Sequence, residues 1–389
     1  MISKKKMAIY SIALIIITAL VTSVAVEYKY GEYKKLAILE KSIENDFYKK
    51  VDKEELINGA LKGMFEATGD QYSQYYTKSE FEKLMEQTSG TFVGIGVVIS
   101  PVEDENLITV VAPMEGSPAE KSGIKPGDKI LKVNGEDVSS KQMDKALTLI
   151  KGKEGTTVNI TIKRNNQVLD FDVKREKIIN KTIEYKVIDD NIGYIKMYSF
   201  DEHTYKDFTK ALDKLEAKNI KGLVIDLRDN PGGLLNICED IADEILDQDQ
   251  VIVSVKNNKE KSKEYVSDNK KQLDLPIALL INSGSASASE ILTGAIVDNG
   301  KGIAVGTTTF GKGLVQTVRQ MRDGTGFKLT TAQYYTPSGA YINGKGIKPT
   351  IEEQDEAKQL DVAVDWIKKE INKKKSFNFK RVSSRWISI

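Results

Sequence analysis

Between Met7 and Val26 the chain carries no charged residue, and Lys4, Lys5 and Lys6 stand directly before this run. Only Tyr10, Ser11, Thr18, Thr22 and Ser23 bring hydroxyl groups into it. About 20 such residues suffice to cross the hydrocarbon core of a bilayer as a helix. The run therefore predicts a signal-anchor over residues 7–26 with a cytoplasmic tail over 1–6, because the basic flank stays inside. The rest of the chain is then expected outside the cytoplasm, held to the cell membrane by a single pass. The rival reading is a cleaved signal peptide, for which Ser23-Val24-Ala25 supplies small residues; the remainder would then be secreted.

At 389 residues the chain exceeds what one core usually serves, so two folded domains plus an appendage are expected. The 57 basic and 56 acidic residues give net +1 and are interspersed, which argues against nucleic acid as a partner. One cysteine, Cys238, excludes an internal disulfide and reads as a small buried hydrophobe. One histidine, His203, excludes a multi-histidine metal site and leaves little room for Ser-His-Asp catalysis.

Helical spacing runs through residues 27–87, with a turn at Gly69-Asp70 and tyrosines 72, 75 and 76 expected to pack between helices. Residues 88–176 hold short alternating strands at Val97–Ile99, Ile108–Val111, Lys129–Val133 and Val158–Lys163, with helices at Ala119–Gly123 and Met143–Ile150. Over residues 177–350 strands and helices alternate, which predicts an α/β core with parallel pairing. Its strands are read at Ile192–Met197, Gly222–Asp226, Pro276–Ile281 and Gly302–Val305, its helices at Tyr205–Lys218, Leu234–Ile245 and Ala286–Val297. A strand pair at Leu314–Met321 and Phe327–Tyr335 and a helical tail over 351–389 complete the chain.

Three segments carry chemistry. From Leu279 to Glu290 a buried strand passes through Ser283-Gly284-Ser285-Ala286-Ser287 into a helix, a turn that exposes a side chain at a sheet edge beside outward-pointing helical amides. The plain alternative is a capping box between Ser287 and Glu290. Thr309-Phe310-Gly311-Lys312-Gly313-Leu314-Val315-Gln316 offers a lysine among apolar and small residues, with no acid within nine residues on either side. A serine hydroxyl needs a base, and where histidine is lacking a desolvated lysine can serve, provided its reference pKa of about 10.4 falls by several units. In an extended chain Gln316 lies on the same side as Lys312 and can orient it without adding charge. Val224 to Leu235 contains Asn230-Pro231-Gly232-Gly233, a turn of bare amides in which Gly233 could donate to an oxyanion opposite Ala288; one such donor is worth about 3 kcal/mol of barrier.

Taken in this order, the three segments resemble the C-terminal processing peptidases, or tail-specific proteases, of peptidase family S41. The likeness covers about Leu36 to Thr350, including Gly69-Asp70, Tyr72-Ser73 and Gly344-Lys345-Gly346-Ile347-Lys348-Pro349. It implies a multidomain α/β fold and a serine endopeptidase with a Ser-Lys dyad: Ser287 as nucleophile, Lys312 as base, Gln316 behind the base, and the amides of Gly233 and Ala288 as oxyanion hole. Gln71 stands where proline is common and Asp229 where asparagine is common, which bears on turn geometry alone. The strand-rich module resembles a PDZ domain through Gly116-Ser117-Pro118-Ala119, Ser122 to Ile130 and Val133-Asn134-Gly135. Gly94-Ile95-Gly96-Val97 corresponds to its carboxylate loop, which implies substrates bound by their C-terminal tails. No cofactor and no metal are expected, and the resemblance leaves room for a homodimer and a regulatory partner protein. Two rival readings are a catalytically silent PDZ receptor on a degenerate protease fold and an acyl-thioester enzyme on the same scaffold.

Overall fold

The computed structural model describes residues 4–189, 191–268 and 273–385. The first residues of the expected cytoplasmic tail, 1–3, and the last of the basic end, 386–389, lie outside them. The described chain divides into two compact units, residues up to Ser79 with Val318–Leu329, and the remainder.

The first unit is built on α1 (Lys4–Asp46) and α2 (Lys53–Glu66). Within α1, Lys5–Gly31 has a mean hydropathy of 2.4 over its apolar window and is long and apolar enough to cross a membrane. Asp52 starts α2 by accepting from the amides of Glu54 (2.7 Å) and Glu55 (3.2 Å). Tyr75 and Tyr76 do not pack between helices as expected. They form the short strand β1 (Gln74–Tyr76), paired antiparallel with Gly326–Lys328, and the Tyr75 hydroxyl donates to Asn58 Oδ1 at 3.0 Å. Aromatic residues suit a strand as well as a helix face, and here the sheet claims these two.

Helix α3 (Lys78–Ser89) leads into the second unit, whose first part is the expected strand-rich module. Strand β2 (Thr91–Gly94) enters it, followed by β3 (Val97–Val102), β4 (Leu107–Pro113), the single-turn helix α4 (Pro118–Lys121), β5 (Lys129–Val133) and β6 (Glu136–Asp137). Helix α5 (Met143–Ile150), β7 (Thr157–Arg164) and β8 (Gln167–Lys174) follow, and β9 (Glu176–Ile179) leaves antiparallel to β2. The sheet order is β3-β4-β5-β7-β8, with Ile108, Ile130, Ile160 and Ile162 buried against Ala146 and Ile150 of α5. Arg164 pairs with the buried Asp128 at 2.7 Å through both Nε and Nη2 and donates to Gly123 O at 2.8 Å, pinning the Gly-Asp turn before β5.

The second part is an α/β sandwich. Strand β10 (Ile183–Ile188) lies antiparallel at the sheet edge beside β11 (Ile192–Met197). After α6 (Thr204–Glu216) come β12 (Gly222–Asp226), α7 (Leu235–Ile245) and the hairpin β13 (Val251–Asn257) with β14 (Ser262–Val266). Next are β15 (Ile277–Ile281), α8 (Ala288–Asp298), β16 (Gly302–Gly306), β17 (Leu314–Gln320), β18 (Gly326–Tyr335), β19 (Ile351–Glu352) and α9 (Glu356–Arg385). The main sheet runs β10-β11-β12-β15-β16-β19, and every pairing beyond β10 is parallel. Strands β12 and β15 are buried on both faces: Leu223, Ile225, Leu279 and Ile281 face α6, α7 and α8, while Val224, Ala278 and Leu280 face α9. This is why their sequences read as continuous apolar runs. Helix α9, set apart as a tail in the sequence reading, forms the second helical layer through Ala363, Val364 and Ile367.

Candidate active site

Because β11, β12, β15 and β16 are adjacent and parallel, their carboxyl ends open on one edge of the sheet, the usual location of sites in open α/β folds. The three segments singled out above leave from that edge: 227–234 after β12, 282–287 after β15 and 307–313 after β16.

The serines of Ser285-Ala286-Ser287-Ala288-Ser289 have different tasks. Ser285 is buried; its hydroxyl donates to Leu227 O (2.8 Å) and accepts from the Asn282 amide (3.0 Å). Ser289 is buried and donates to Asn230 O at 2.9 Å, and the Ala286 amide reaches the same carbonyl at 3.0 Å. Both flanking serines thus staple this loop to the turn after β12. Ser287, half-buried between them, sits at φ 54°, ψ −114°, a conformation costly for a residue with a Cβ. A strained residue carried at the mouth of a helix by fixed neighbours is how a strand-turn-helix exposes a nucleophile.

Glu290 closes its half of the capping box by accepting from the Ser287 amide through Oε2 at 2.8 Å, and it does more than cap. Fully buried, it also accepts from the Lys312 amide on Oε2 (2.9 Å), and on Oε1 from the Gly311 amide (2.7 Å) and the Thr309 hydroxyl (2.6 Å). Since the amides of Ser287 and Lys312 share one oxygen, they lie under about 6 Å apart. The carbonyls of the same two residues meet at a second shared group, the buried Tyr334 hydroxyl, which donates to Lys312 O and lies 3.1 Å from Ser287 O. The sequence shows no acid near Lys312, yet the fold brings Glu290 to its main chain. That carboxylate is already engaged by four donors.

The loop of Lys312 is braced from behind. Gly344 N donates to Gly311 O (2.8 Å), Gly313 N to Asn343 Oδ1 (3.1 Å) and Ile347 N to Thr309 Oγ1 (2.7 Å). A Cβ on Gly311 would come within 2.8 Å of Gly346 N, so glycine is required for this approach. Phe310 departs from expectation: it is 57% exposed rather than packed about the amine. Leu314 and Val315 are half-buried, Val315 against the main core. The Gln316 amide lies 3.3 Å from both Leu314 O and Thr330 Oγ1 in this structure.

The turn after β12 abuts Ser287. A Cβ on Gly232 would lie 2.6 Å from Ala286 O, 2.8 Å from Ala288 N and 2.9 Å from Ser287 Cβ. Gly233, at φ 151°, bridges to Phe200: Phe200 N donates to Gly232 O (3.0 Å) and Leu234 N to Phe200 O (2.7 Å). A parallel bridge made by these neighbours turns the Gly233 amide to the other side. Ala288 is the first residue of α8, where an amide has no intrahelical acceptor. Cys238, expected in the core, is buried behind this turn with Sγ 3.2 Å from Ala288 O, and burial pushes its thiol pKa well above the usual range.

Beside the turn, Asp226 is buried at the end of β12. Arg228 holds it by two bonds (3.0 and 2.6 Å), aided by the Tyr194 hydroxyl (2.7 Å) and Lys196 Nζ (3.3 Å). Burial raises the carboxyl pKa, but Arg228, Tyr194 and Lys196 outweigh it and leave Asp226 below its usual value. His203 precedes α6 and its Nε2 meets Thr91 Oγ1 at 2.8 Å. In the strand-rich module Gly94 ends β2, Ile95 is buried and Val97 opens β3. Met114 N and Ala119 N fix the loop by donating to Gly96 O (2.9 Å) and Ile95 O (2.8 Å). Strand β3 is the edge of its sheet among the described residues. Sequence reasoning missed two site residues. Glu290 was visible only as a capping partner, and Tyr334, far along the chain in an ordinary strand, gave no signal.

Comparison with known proteins agrees with this geometry. Residues 191–353 match the peptidase family S41, residues 109–164 a PDZ domain, and residues 19–80 the N-terminal domain of the activating protease CtpB. A CtpA-like serine protease of Staphylococcus aureus (strain COL) is 38% identical over 353 residues, which cover 87% of this chain and 71% of that one. Its counterpart in Staphylococcus haemolyticus is 41% identical over 320 residues, 82% of this chain and 64% of that longer relative. Among solved structures, the photosystem II D1 C-terminal processing protease aligns with a TM-score of 0.50 and 26% identity, over 85% of this chain and 91% of its own. An S41 protease structure from Bacteroides fragilis NCTC 9343, at TM-score 0.53 and 16% identity over 81% of this chain and 85% of its own, shares the fold. The chain belongs to peptidase family S41, the C-terminal processing serine peptidases.

Proposed function

We propose that this protein is a serine endopeptidase that cleaves exported or membrane-exposed polypeptides recognised by their C-terminal residues. Ser287 Oγ attacks the scissile carbonyl while its proton passes to the neutral amine of Lys312. The amides of Gly233 and Ala288 receive the developing oxyanion. Lys312 then gives the proton to the departing amine, and a water molecule, deprotonated by the same lysine, releases the acyl group from Ser287. The observation that carries this reading is the joint attachment of the Ser287 and Lys312 amides to one oxygen of Glu290, which keeps their main chains adjacent. Gln316 orients Lys312 through its carboxamide oxygen, while its Nε2 keeps two contacts that, at 3.3 Å, are at the long end of hydrogen bonding.

The edge strand β3 and the loop Gly94–Val97 favour docking of a substrate tail as an added strand. Residues 7–26 serve as the membrane anchor, which sets the catalytic unit outside the cytoplasm. The test is cleavage of an unfolded protein by the purified full chain and by Ser287→Ala and Lys312→Ala, each checked for folding by circular dichroism. Both variants should lose nearly all turnover while keeping their spectra; full activity in either removes the assignment.

A further inference from the structure

We propose that Tyr334 is a positioning residue for the dyad: its hydroxyl sets the spacing between the main chains of Ser287 and Lys312 by bridging their carbonyl oxygens. This inference rests on the reading of Ser287 and Lys312 just given. A phenol buried in the core of an α/β unit needs a partner for its proton, and here the hydroxyl lies within hydrogen-bond distance of a main-chain oxygen of each of Ser287 and Lys312. The strand that carries it is fixed independently. Tyr334 pairs with Val255 of β13, its ring belongs to the main hydrophobic core, and its amide donates to Gly313 O at 3.1 Å. The hydroxyl is therefore a rigid post.

Ser287 O also accepts from the amides of Glu290 (2.9 Å) and Ile291 (3.0 Å) in the first turn of α8. Its position is overdetermined, so the side that the phenol chiefly disciplines is the loop of Lys312. Glu290 performs the matching task from below, gathering the two amides while Tyr334 gathers the two carbonyls. With both ends of each residue's main chain tethered to a shared group, the spacing of the two main chains from which hydroxyl and amine project is set before substrate arrives. Small errors in that separation are costly, because rate depends steeply on alignment of the reacting atoms.

Tyr334→Phe keeps the ring in the core and removes only the hydroxyl group. Its kcat should fall about 10- to 100-fold with KM within about twofold. Acylation of Ser287 by a small serine-directed probe, which makes no use of the peptide-binding module, should slow by the same factor. Glu290→Asp, which draws the carboxylate back without changing its charge, supplies the second variant. Its loss should share that signature, and the double variant should lose less than the product of the two, as expected for groups acting on one distance. Wild-type kcat and acylation rate in folded Tyr334→Phe, or losses that multiply in the double variant, overturn the inference. Ser287→Ala run in the same assay separates the two claims. If it is inactive while Tyr334→Phe is fully active, only this inference falls; if Ser287→Ala itself still cuts, the proposed function falls.

Discussion

Gly232→Ala places a single methyl group against the turn that carries Ser287. The new Cβ would lie 2.6 Å from Ala286 O, 2.8 Å from Ala288 N and 2.9 Å from Ser287 Cβ. Against an ordinary contact of at least 3.4 Å, the closest approach is roughly 0.8 Å too short, so one of the two main chains must move by that order. Neither has slack, because Ala286 N and the Ser289 hydroxyl are bonded to Asn230 O on the opposing turn. Alanine at φ 94° adds about 1–2 kcal/mol of backbone strain. A shift approaching 1 Å at a reacting group costs about 100-fold in rate, or about 2.7 kcal/mol of barrier. The assay is kcat/KM on a quenched fluorogenic peptide, with urea melts alongside. Gly300→Ala is the control: its φ of 68° carries similar strain, but nothing lies within 4 Å of the added carbon. It should lose about 1 kcal/mol of stability and no activity. If Gly232→Ala stays within about threefold of wild type, the turn after β12 does not brace Ser287 and the reasoning is refuted.

Other substitutions read neighbouring parts of the site. Ser285→Ala strips a donor from Leu227 O and an acceptor from Asn282 N, and urea titration should show a loss of about 1–3 kcal/mol, whereas Ser283→Ala on the exposed side of the loop should be near neutral. Arg228→Ala leaves Asp226 buried without its main partner, an expected loss of about 3–5 kcal/mol at neutral pH. Asp226 is held below its usual pKa, so the stabilisation from its pairing exists above the ordinary aspartate range and disappears as pH falls through the lower folded value. The deficit of Arg228→Ala should therefore shrink in acid. Glu239 has the opposite sign: burial, with Asp240 adding and Lys263 opposing, pushes it from 4.5 up to about 7. Folding then favours its protonated form, so wild-type stability should decline as pH rises from about 4.5 to 7. Glu239→Gln should flatten that decline and melt above wild type at pH 8; parallel pH profiles for the two proteins would show that Glu239 is not the cause.

Where burial is two-sided or the turn chemistry is local, the sequence could be read directly. Strands β12 and β15 show as unbroken apolar runs because helices cover both faces, and α5 starts and stops at the residues its spacing suggests. Strands β10, β13 and β14 went unread, since charged and polar residues such as Glu184, Lys256 and Glu264 dilute their alternation. Phe310 illustrates the limit of judging a pocket from chain neighbours, since the residues beside Lys312 in sequence need not surround its side chain in space. The contacts that tie Ser287 and Lys312 together come from positions 290 and 334, distant from Lys312 along the chain. A capping box announced the first only as a helix start, and nothing local announces a tyrosine whose partners are the carbonyls of other loops.

Covalent labelling of the full chain with a serine-directed acylating probe, located by peptide mass spectrometry and timed in wild type and in Lys312→Ala, addresses the dyad most directly. The expected result is one modified position, Ser287, with labelling slowed at least about 100-fold in the folded lysine variant. Modification at Ser285 or Ser289 in place of Ser287, or equal rates with and without the amine, would contradict it.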